Sequence, residues 1–324
     1  MSKHCTRRKF LAEAGRLAGS TLLGAGSVSL VAGAPPAGAL PRRRLGRTGV
    51  EVSVLGVGLA PMGMANYSPQ EFRTVVGAAL DEGVSYFDVQ PNYGEAEKYL
   101  SPMLKEHRDR FFVVTKTWEQ SRRAVLDSIA GSLGRLGVPR VDAVLLNNIG
   151  DYDLQGLFRA DGALAGLKEA RRRGQVRFFG LSGHWRPGHF RQALESREFD
   201  IVTAPFNFVD RHTYSFERDI LAVAAKHDVG VVAMKVLGGA VGLKYDTRQQ
   251  RAMLPQSQHQ LAIRYVLGLP QLGCAVIGCK NAEEVRLAAR AVRGYRALSE
   301  AEQASALTLG KKLAAEWGAR YPEG

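Results

Sequence analysis

Three side chains with chemical potential fall close together early in the chain: the carboxylate of Asp88, the phenol of Tyr93 and the amine of Lys116. Asp88 closes the run Val84-Ser85-Tyr86-Phe87-Asp88, and Lys116 closes Phe111-Phe112-Val113-Val114-Thr115-Lys116. Both runs are rich in β-branched and aromatic residues, as strands are. Residues two apart share a strand face, so Asp88 sides with Tyr86 and Val84, and Lys116 with Val114 and Phe112. A charge among such neighbours is costly alone and tolerable when paired. Tyr93 follows in the loop Pro91-Asn92-Tyr93-Gly94. An ammonium beside a phenol favours the phenolate and lowers its pKa. Such a phenol can give a proton to a carbonyl oxygen nearer neutral pH, as a general acid must. The plainer alternative is a satisfied cluster with no chemistry.

The elements that must position these groups are legible in the rhythm of the chain. Strands are predicted at Val52–Leu59, Val84–Val89, Phe111–Lys116, Val141–Leu146, Val176–Ser182, Ile201–Thr203, Val229–Met234 and Cys274–Ile277. Helices with apolar residues at helical spacing alternate with them at Pro69–Leu80, Glu95–Lys105, Glu119–Leu136, Ala163–Arg173, Gly188–Glu195, Ser215–His227, Ser257–Leu267 and Ala282–Val292, and Glu300–Trp317 closes the chain. Eight β-then-α units of this size predict an α/β (β/α)8 TIM barrel, whose chemistry sits where strands end. An open doubly wound sheet is disfavoured, because no G-x-G-x-x-G joins an early strand to a helix.

Phe87-Asp88, Pro91-Asn92-Tyr93-Gly94, Glu97 and Leu100 resemble the aldo-keto reductase signature around its catalytic Asp and Tyr, and Lys116 matches its catalytic Lys. Arg44-Leu45-Gly46-Arg47-Thr48-Gly49 with Leu55-Gly56-Val57-Gly58 is similar to that family's N-terminal hairpin and first strand. Arg173–His184 is similar to its fifth strand, and Lys235-Val236-Leu237-Gly238-Gly239 to the loop after its seventh. The resemblance spans residues 42–292. It implies NAD(P)H-dependent reduction of an aldehyde or ketone, or the reverse oxidation of an alcohol, with NADP favoured over NAD. Tyr93 would protonate the oxygen, Lys116 would tune Tyr93 and Asp88 would hold Lys116. Gly58, Ser182, Gly183, Thr203, Lys235, Gly238, Gly239, Gly278 and Lys280 fall where the cofactor is bound, and Trp118 where it could line the substrate pocket.

The sequence also departs from the family. The fourth catalytic residue, a histidine closing strand four, is replaced by Asn147 after Val141-Asp142-Ala143-Val144-Leu145-Leu146. An amide can donate to a carbonyl oxygen but cannot titrate. The Asn that follows the strand-five Ser is Gly183, followed by His184, and the strand-six Gln is Thr203. The arginine expected near the start of the helix after strand eight is Glu284, which leaves Lys280 as the residue to meet a 2′-phosphate. These changes leave two other readings open. One is a diverged barrel enzyme, an isomerase or lyase on a sugar-like substrate; the other is a non-catalytic binding subunit.

Composition bounds the rest. With 324 residues, 45% hydrophobic and 23% charged, the chain can bury one large core. Of the formal +13, residues 1–39 carry +4, from Lys3, Arg7, Arg8, Lys9 and Arg16 against Glu13, leaving +9 for residues 40–324. Those charges are scattered without a nucleic-acid motif and read as a solvated surface. Cys274 and Cys279 offer no metal spacing and read as small buried hydrophobes. Thr6-Arg7-Arg8-Lys9-Phe10-Leu11, a mild apolar run from Leu17 to Val31, and the small-residue sites Ala32-Gly33-Ala34 and Ala37-Gly38-Ala39 look like a twin-arginine export signal over residues 1–39. The expected partners are the twin-arginine translocation machinery and a small carbonyl or alcohol substrate. The expected location is periplasmic or otherwise exported, with residues 40–324 as one domain without a membrane span. Glycines at 238, 239 and 242 suggest mobility over the site.

Overall fold

The structure is a computed structural model that describes residues 38–321. The predicted export signal lies outside them except for its last two residues. A short antiparallel hairpin, β1 (Arg42–Arg44) and β2 (Glu51–Ser53), comes first. Eight parallel strands then close into a barrel: β3 (Leu55–Gly58), β4 (Tyr86–Asp88), β5 (Phe112–Thr117), β6 (Val141–Leu146), β7 (Val176–Ser182), β8 (Ile201–Pro205), β9 (Gly230–Met234) and β10 (Leu272–Gly278), with β10 pairing back onto β3. The chain has the predicted (β/α)8 fold, hairpin and closing helix included.

Helices α1 (Ala60–Met64), α2 (Pro69–Asp81), α3 (Ala96–His107), α4 (Arg122–Leu136), α5 (Leu154–Leu157), α6 (Ala163–Arg172), α7 (Pro187–Glu195), α8 (Phe216–His227), α9 (His259–Leu267) and α10 (Ala282–Arg293) follow the strands, and α11 (Glu300–Trp317) ends the fold. Two of these, α1 and α5, fall in segments expected to be loops; each is too short to show a helical period. The single predicted strand over 52–59 is two strands. Val54 sits at the corner, where its N–H donates to Pro41 and its carbonyl accepts from Ala275, so the chain turns from hairpin into barrel there. Among the described residues, no helix is long and apolar enough to cross a membrane.

Strand alternation sorts the side chains into two cores. Facing inward, Tyr86, Phe112, Val114, Ala143, Leu145, Ile201, Val232 and Cys274 fill the barrel's interior. Tyr86 stacks on Phe112 at 5.5 Å, and Phe112 on Phe178 at 6.3 Å. Facing outward, Phe87, Val113, Val144 and Phe179 pack under the helices. Each fully buried ring or branched chain contributes roughly 1.5–3 kcal/mol, so both faces are fixed and the register cannot slip. The rings plug the lower barrel. The inward positions one step further along each strand therefore open on the carboxyl-terminal mouth. Cys274 and Cys279 are both free and buried.

Charged residues brace the frame. Asp142 is buried on β6, where it accepts from Arg108 at 2.8 Å, Arg177 at 2.7 Å and the Val113 amide at 2.9 Å. Glu97, part of the signature around Tyr93, is buried on α3. It accepts from Thr115 on β5 at 2.7 Å and from Arg135 on α4 at 2.6 Å. The signature thus also carries the contact that fixes α3 against the strand bearing Lys116.

Candidate active site

The register aligns Gly58, Asp88 and Val114 across β3, β4 and β5, and Lys116 stands one inward position beyond Val114. Asp88 and Lys116 meet at the mouth as a buried ion pair in which the amine donates to Oδ1. Tyr93 reaches over from the turn before α3, and the Lys116 amine lies 5.4 Å from its ring centroid. Asn147, the first residue past β6, is buried beside them, its N–H bonded to the Thr117 carbonyl at 2.8 Å. All four line one cavity of about 1000 Å³. That is the upper end of the usual range for ligand pockets.

The electrostatics differ from the expectation at Tyr93. Burial pushes its phenol well above the ordinary value, and the Asp88 carboxylate and Tyr245 push the same way. The phenol is therefore held as a proton donor.

Of the residues expected to hold a cofactor, Gly58, Ser182, Lys235, Gly239, Gly278 and Lys280 line the same cavity, whereas Gly183, Thr203 and Gly238 do not. Thr203 points inward next to Ser182 in the β7–β8 register but is not part of the lining. Gly183 fits against the β6 loop, where a Cβ would come within 3.1 Å of the Ile149 nitrogen. Gly238, at φ +81°, makes room for Trp317 of α11, whose ring would lie 2.7 Å from a Cβ there. Trp118 is half-buried outside the cavity wall. Lys280 is engaged: it donates to the Gln250 carbonyl at 2.9 Å and pairs with Glu284 at 3.4 Å.

A dinucleotide fits the walls. The buried hydroxyl of Ser182 has no partner among the described residues, and an unpartnered polar atom in the cavity wall favours a ligand that pairs it. At Gly278 a Cβ would approach Pro61 to 2.7 Å, so only glycine lets the end of β10 pack against the start of α1 beside the cavity. Lys235 takes the left-handed φ of +56°, held by the amide of buried Asn207, which donates to its carbonyl at 3.0 Å. Its amine donates to the Tyr245 hydroxyl and lies 4.2 Å from that ring's centroid.

Three features escaped the sequence reading. Residues 240–255 form a strap along one side of the cavity, closed by an Ala240–Ala252 bridge. The strap is tied across the mouth by Gln250 to Pro61 and by Arg248 to Glu71 at 2.6 and 2.9 Å, so Gly242 sits in a tethered segment and Gly238 and Gly239 lead into it. His184 lines the cavity just past β7. The C-terminal Arg320 and Tyr321 pack behind it, Tyr321 stacked on the imidazole at 5.4 Å. Neither the strap nor the tail carries a motif, and His184 had the strand exit as its one signal.

The model of the aldo/keto reductase family matches residues 54–304. The chain is 27% identical over 250 residues to pyridoxal 4-dehydrogenase of Microbacterium luteolum, covering 62% of this chain and 71% of that one. It is 24% identical over 257 residues to D-threo-aldose 1-dehydrogenase of a Pseudomonas species, covering 67% and 76%. Among solved structures, a Pseudomonas aeruginosa chain described as an aldo-keto reductase superposes with a TM-score of 0.63 at 26% identity, over 78% of this chain and 96% of that one. An aldo/keto reductase of Klebsiella pneumoniae, solved with NADP and acetate, shares the fold with a TM-score of 0.67 at 23% identity, over 84% and 95%. With the signature residues gathered at the barrel mouth and the family model spanning most of the sequence, the chain belongs to the aldo/keto reductase family.

Proposed function

We propose that this chain is an NAD(P)-dependent oxidoreductase that interconverts a small hydroxylated carbonyl compound and its alcohol, with Tyr93 as the proton donor and acceptor. The observation that carries the reading is the convergence of Tyr93, Lys116 and Asp88 in one large cavity with the unpartnered Ser182 hydroxyl in its wall. Relatives named for pyridoxal and for D-threo-aldose support a polar, hydroxyl-bearing substrate. NADP(H) use is consistent with the family, and NADP or NAD is the expected cofactor.

A bound nicotinamide supplies or accepts the hydride. The chain's own residues do the rest. Ser182, with the backbone at Gly58 and Gly278 in the same lining, would hold the nucleotide. Asp88 fixes the Lys116 amine, which sits against the Tyr93 ring and faces negative charge growing on the substrate oxygen. Tyr93, kept protonated by its buried setting, gives its hydroxyl proton to that oxygen in reduction and takes one back in oxidation. Asn147 can donate an amide hydrogen bond to the same oxygen without exchanging a proton. The strap over residues 240–255 limits water at the reacting centre.

The site is proposed to work after twin-arginine export, with residues 1–39 as the signal and residues 40–324 as the mature domain. The test of function is direct. Mature protein should quench or shift NADPH or NADH fluorescence on binding and should then turn over pyridoxal or an aldose. Absence of binding by either nucleotide at millimolar concentration would remove the proposal.

A further inference from the structure

His184 stands outside the machinery described so far, yet its ring lines the same cavity as Tyr93, Lys116 and Asn147. Its Nδ1 is buried with no partner among the described residues, so the ring that borders the cavity is not committed to the protein by a bond at Nδ1. Catalytic and metal-bound histidines usually have the far nitrogen bonded to a carboxylate or carbonyl, which fixes the tautomer. Nothing fixes it here. The ring is instead held by its flat faces: Tyr321 stacks on it at 5.4 Å with 22° between planes, and Trp185 lies tilted at 6.2 Å. Tyr321 is in turn anchored, because its N–H donates to the Tyr214 hydroxyl at 2.9 Å and neighbouring Arg320 pairs with buried Asp210. Burial, with the positive charges of Lys235 and Lys116, holds the imidazole well below its ordinary pKa, so it is neutral at physiological pH.

A neutral imidazole with a free tautomer can present either a donor or an acceptor from one edge. The reacting oxygen of a carbonyl–alcohol pair demands that versatility: as a carbonyl it only accepts, as a hydroxyl it also donates. We propose that His184 is a further catalytic residue that hydrogen-bonds the reacting oxygen opposite Tyr93 in both oxidation states, and that the C-terminal Tyr321 is its positioning residue. This rests on the oxidoreductase reading above.

The experiment begins with titration of NADPH, NADH and ADP-ribose into mature wild-type protein and into H184F, H184Q, Y321F and Y321L. Steady-state kinetics then follow with whichever aldehyde the wild type reduces. H184F is expected to lower kcat about 10²-fold, the loss typical of a missing donor to a developing oxyanion, with nucleotide affinity unchanged. H184Q, which keeps a neutral donor and acceptor, should recover part of that rate. Y321L should lower kcat with little change in nucleotide affinity or Tm, while Y321F, which keeps the stack, should match the wild type. Wild-type kcat in H184F overturns the proposal. So does weaker NADPH binding with unchanged ADP-ribose binding, because the ring would then serve the carboxamide. A wild type that binds no nicotinamide nucleotide at all fails at the first step, which marks the failure as that of the oxidoreductase reading and removes this proposal with it.

Discussion

At the scale of single residues, Tyr93 has its proton held by its surroundings instead of released by them. Burial, Asp88 and Tyr245 all raise its pKa, so the phenol stays protonated throughout the neutral range and loses its proton only above its ordinary value of about 10. The sign of the pH dependence follows. Carbonyl reduction, which needs the protonated form, is expected to stay level from neutral pH upward and to fall only in strong alkali. Alcohol oxidation needs the phenolate and should rise with pH across the same range; pH–rate profiles in both directions check this, and a reduction rate falling below pH 9 would contradict it. Tyr93→Phe removes the proton outright. It should cost about 10²–10⁴ in kcat while leaving nucleotide affinity as it was, which stopped-flow reduction and fluorescence titration separate. Asp88→Ala asks a different question, because it strands the Lys116 amine in a dry wall. Breaking one side of a buried pair costs about 3–5 kcal/mol, so that variant should unfold at a visibly lower denaturant concentration.

At the scale of elements, the strands and helices that carry the four inward-facing mouth residues were readable, because period-2 and period-3.6 patterns are local. Asp88, closing β4, and Lys116, next to last on β5, announced themselves as charges ending apolar runs. The Tyr93 pKa was not readable, since it depends on how deeply the ring is covered and on Asp88 and Tyr245 facing it. The packing of Gly238 is equally hidden: a Cβ there would meet Trp317, a contact far away in sequence. The strap over 240–255 was read as mobile from its glycines, and nothing local shows that Arg248 will find Glu71 across the mouth. That latch makes a prediction of its own. Arg248 and Ser68 bring the Glu71 carboxyl down to about 2, a depressed value, so the charge pair persists from about pH 5 upward and is lost only as pH falls toward 2. Arg248→Ala should speed nucleotide release several-fold at neutral pH, and high salt should produce part of the same effect in the wild type, since the pair is half-exposed. Stopped-flow displacement measures both, and an unchanged release rate would mean the strap opens without breaking the latch.

At the scale of the whole molecule, closure comes late. The barrel is sealed only when β10 pairs with β3, and the mouth is backed only when Arg320, beyond the last helix, reaches Asp210. Nearly all of the chain must therefore be synthesised before the cavity that would take a nucleotide exists. A transport route for unfolded chains would deliver this protein to a compartment where it must close its barrel and find its cofactor afterwards. A route for folded proteins, such as the export proposed above, would deliver it loaded. The pair Arg7-Arg8, ahead of a mild apolar run and small-residue cleavage sites, is the feature that fits the second route. Replacing both arginines by lysine keeps the charge of the leader but removes the paired guanidinium groups, so a pathway that reads only positive charge would be indifferent to the change. The expected outcome is that the Arg7→Lys, Arg8→Lys precursor stays in the cytoplasm at full length, folded and able to bind nucleotide, while the wild type is cleaved and recovered outside. Fractionation with immunoblotting against the barrel reads the location, and protease resistance of the retained form reads its folding. Normal export of the double variant would show that the leader is read by the general secretory pathway, and the barrel would then have to close after crossing.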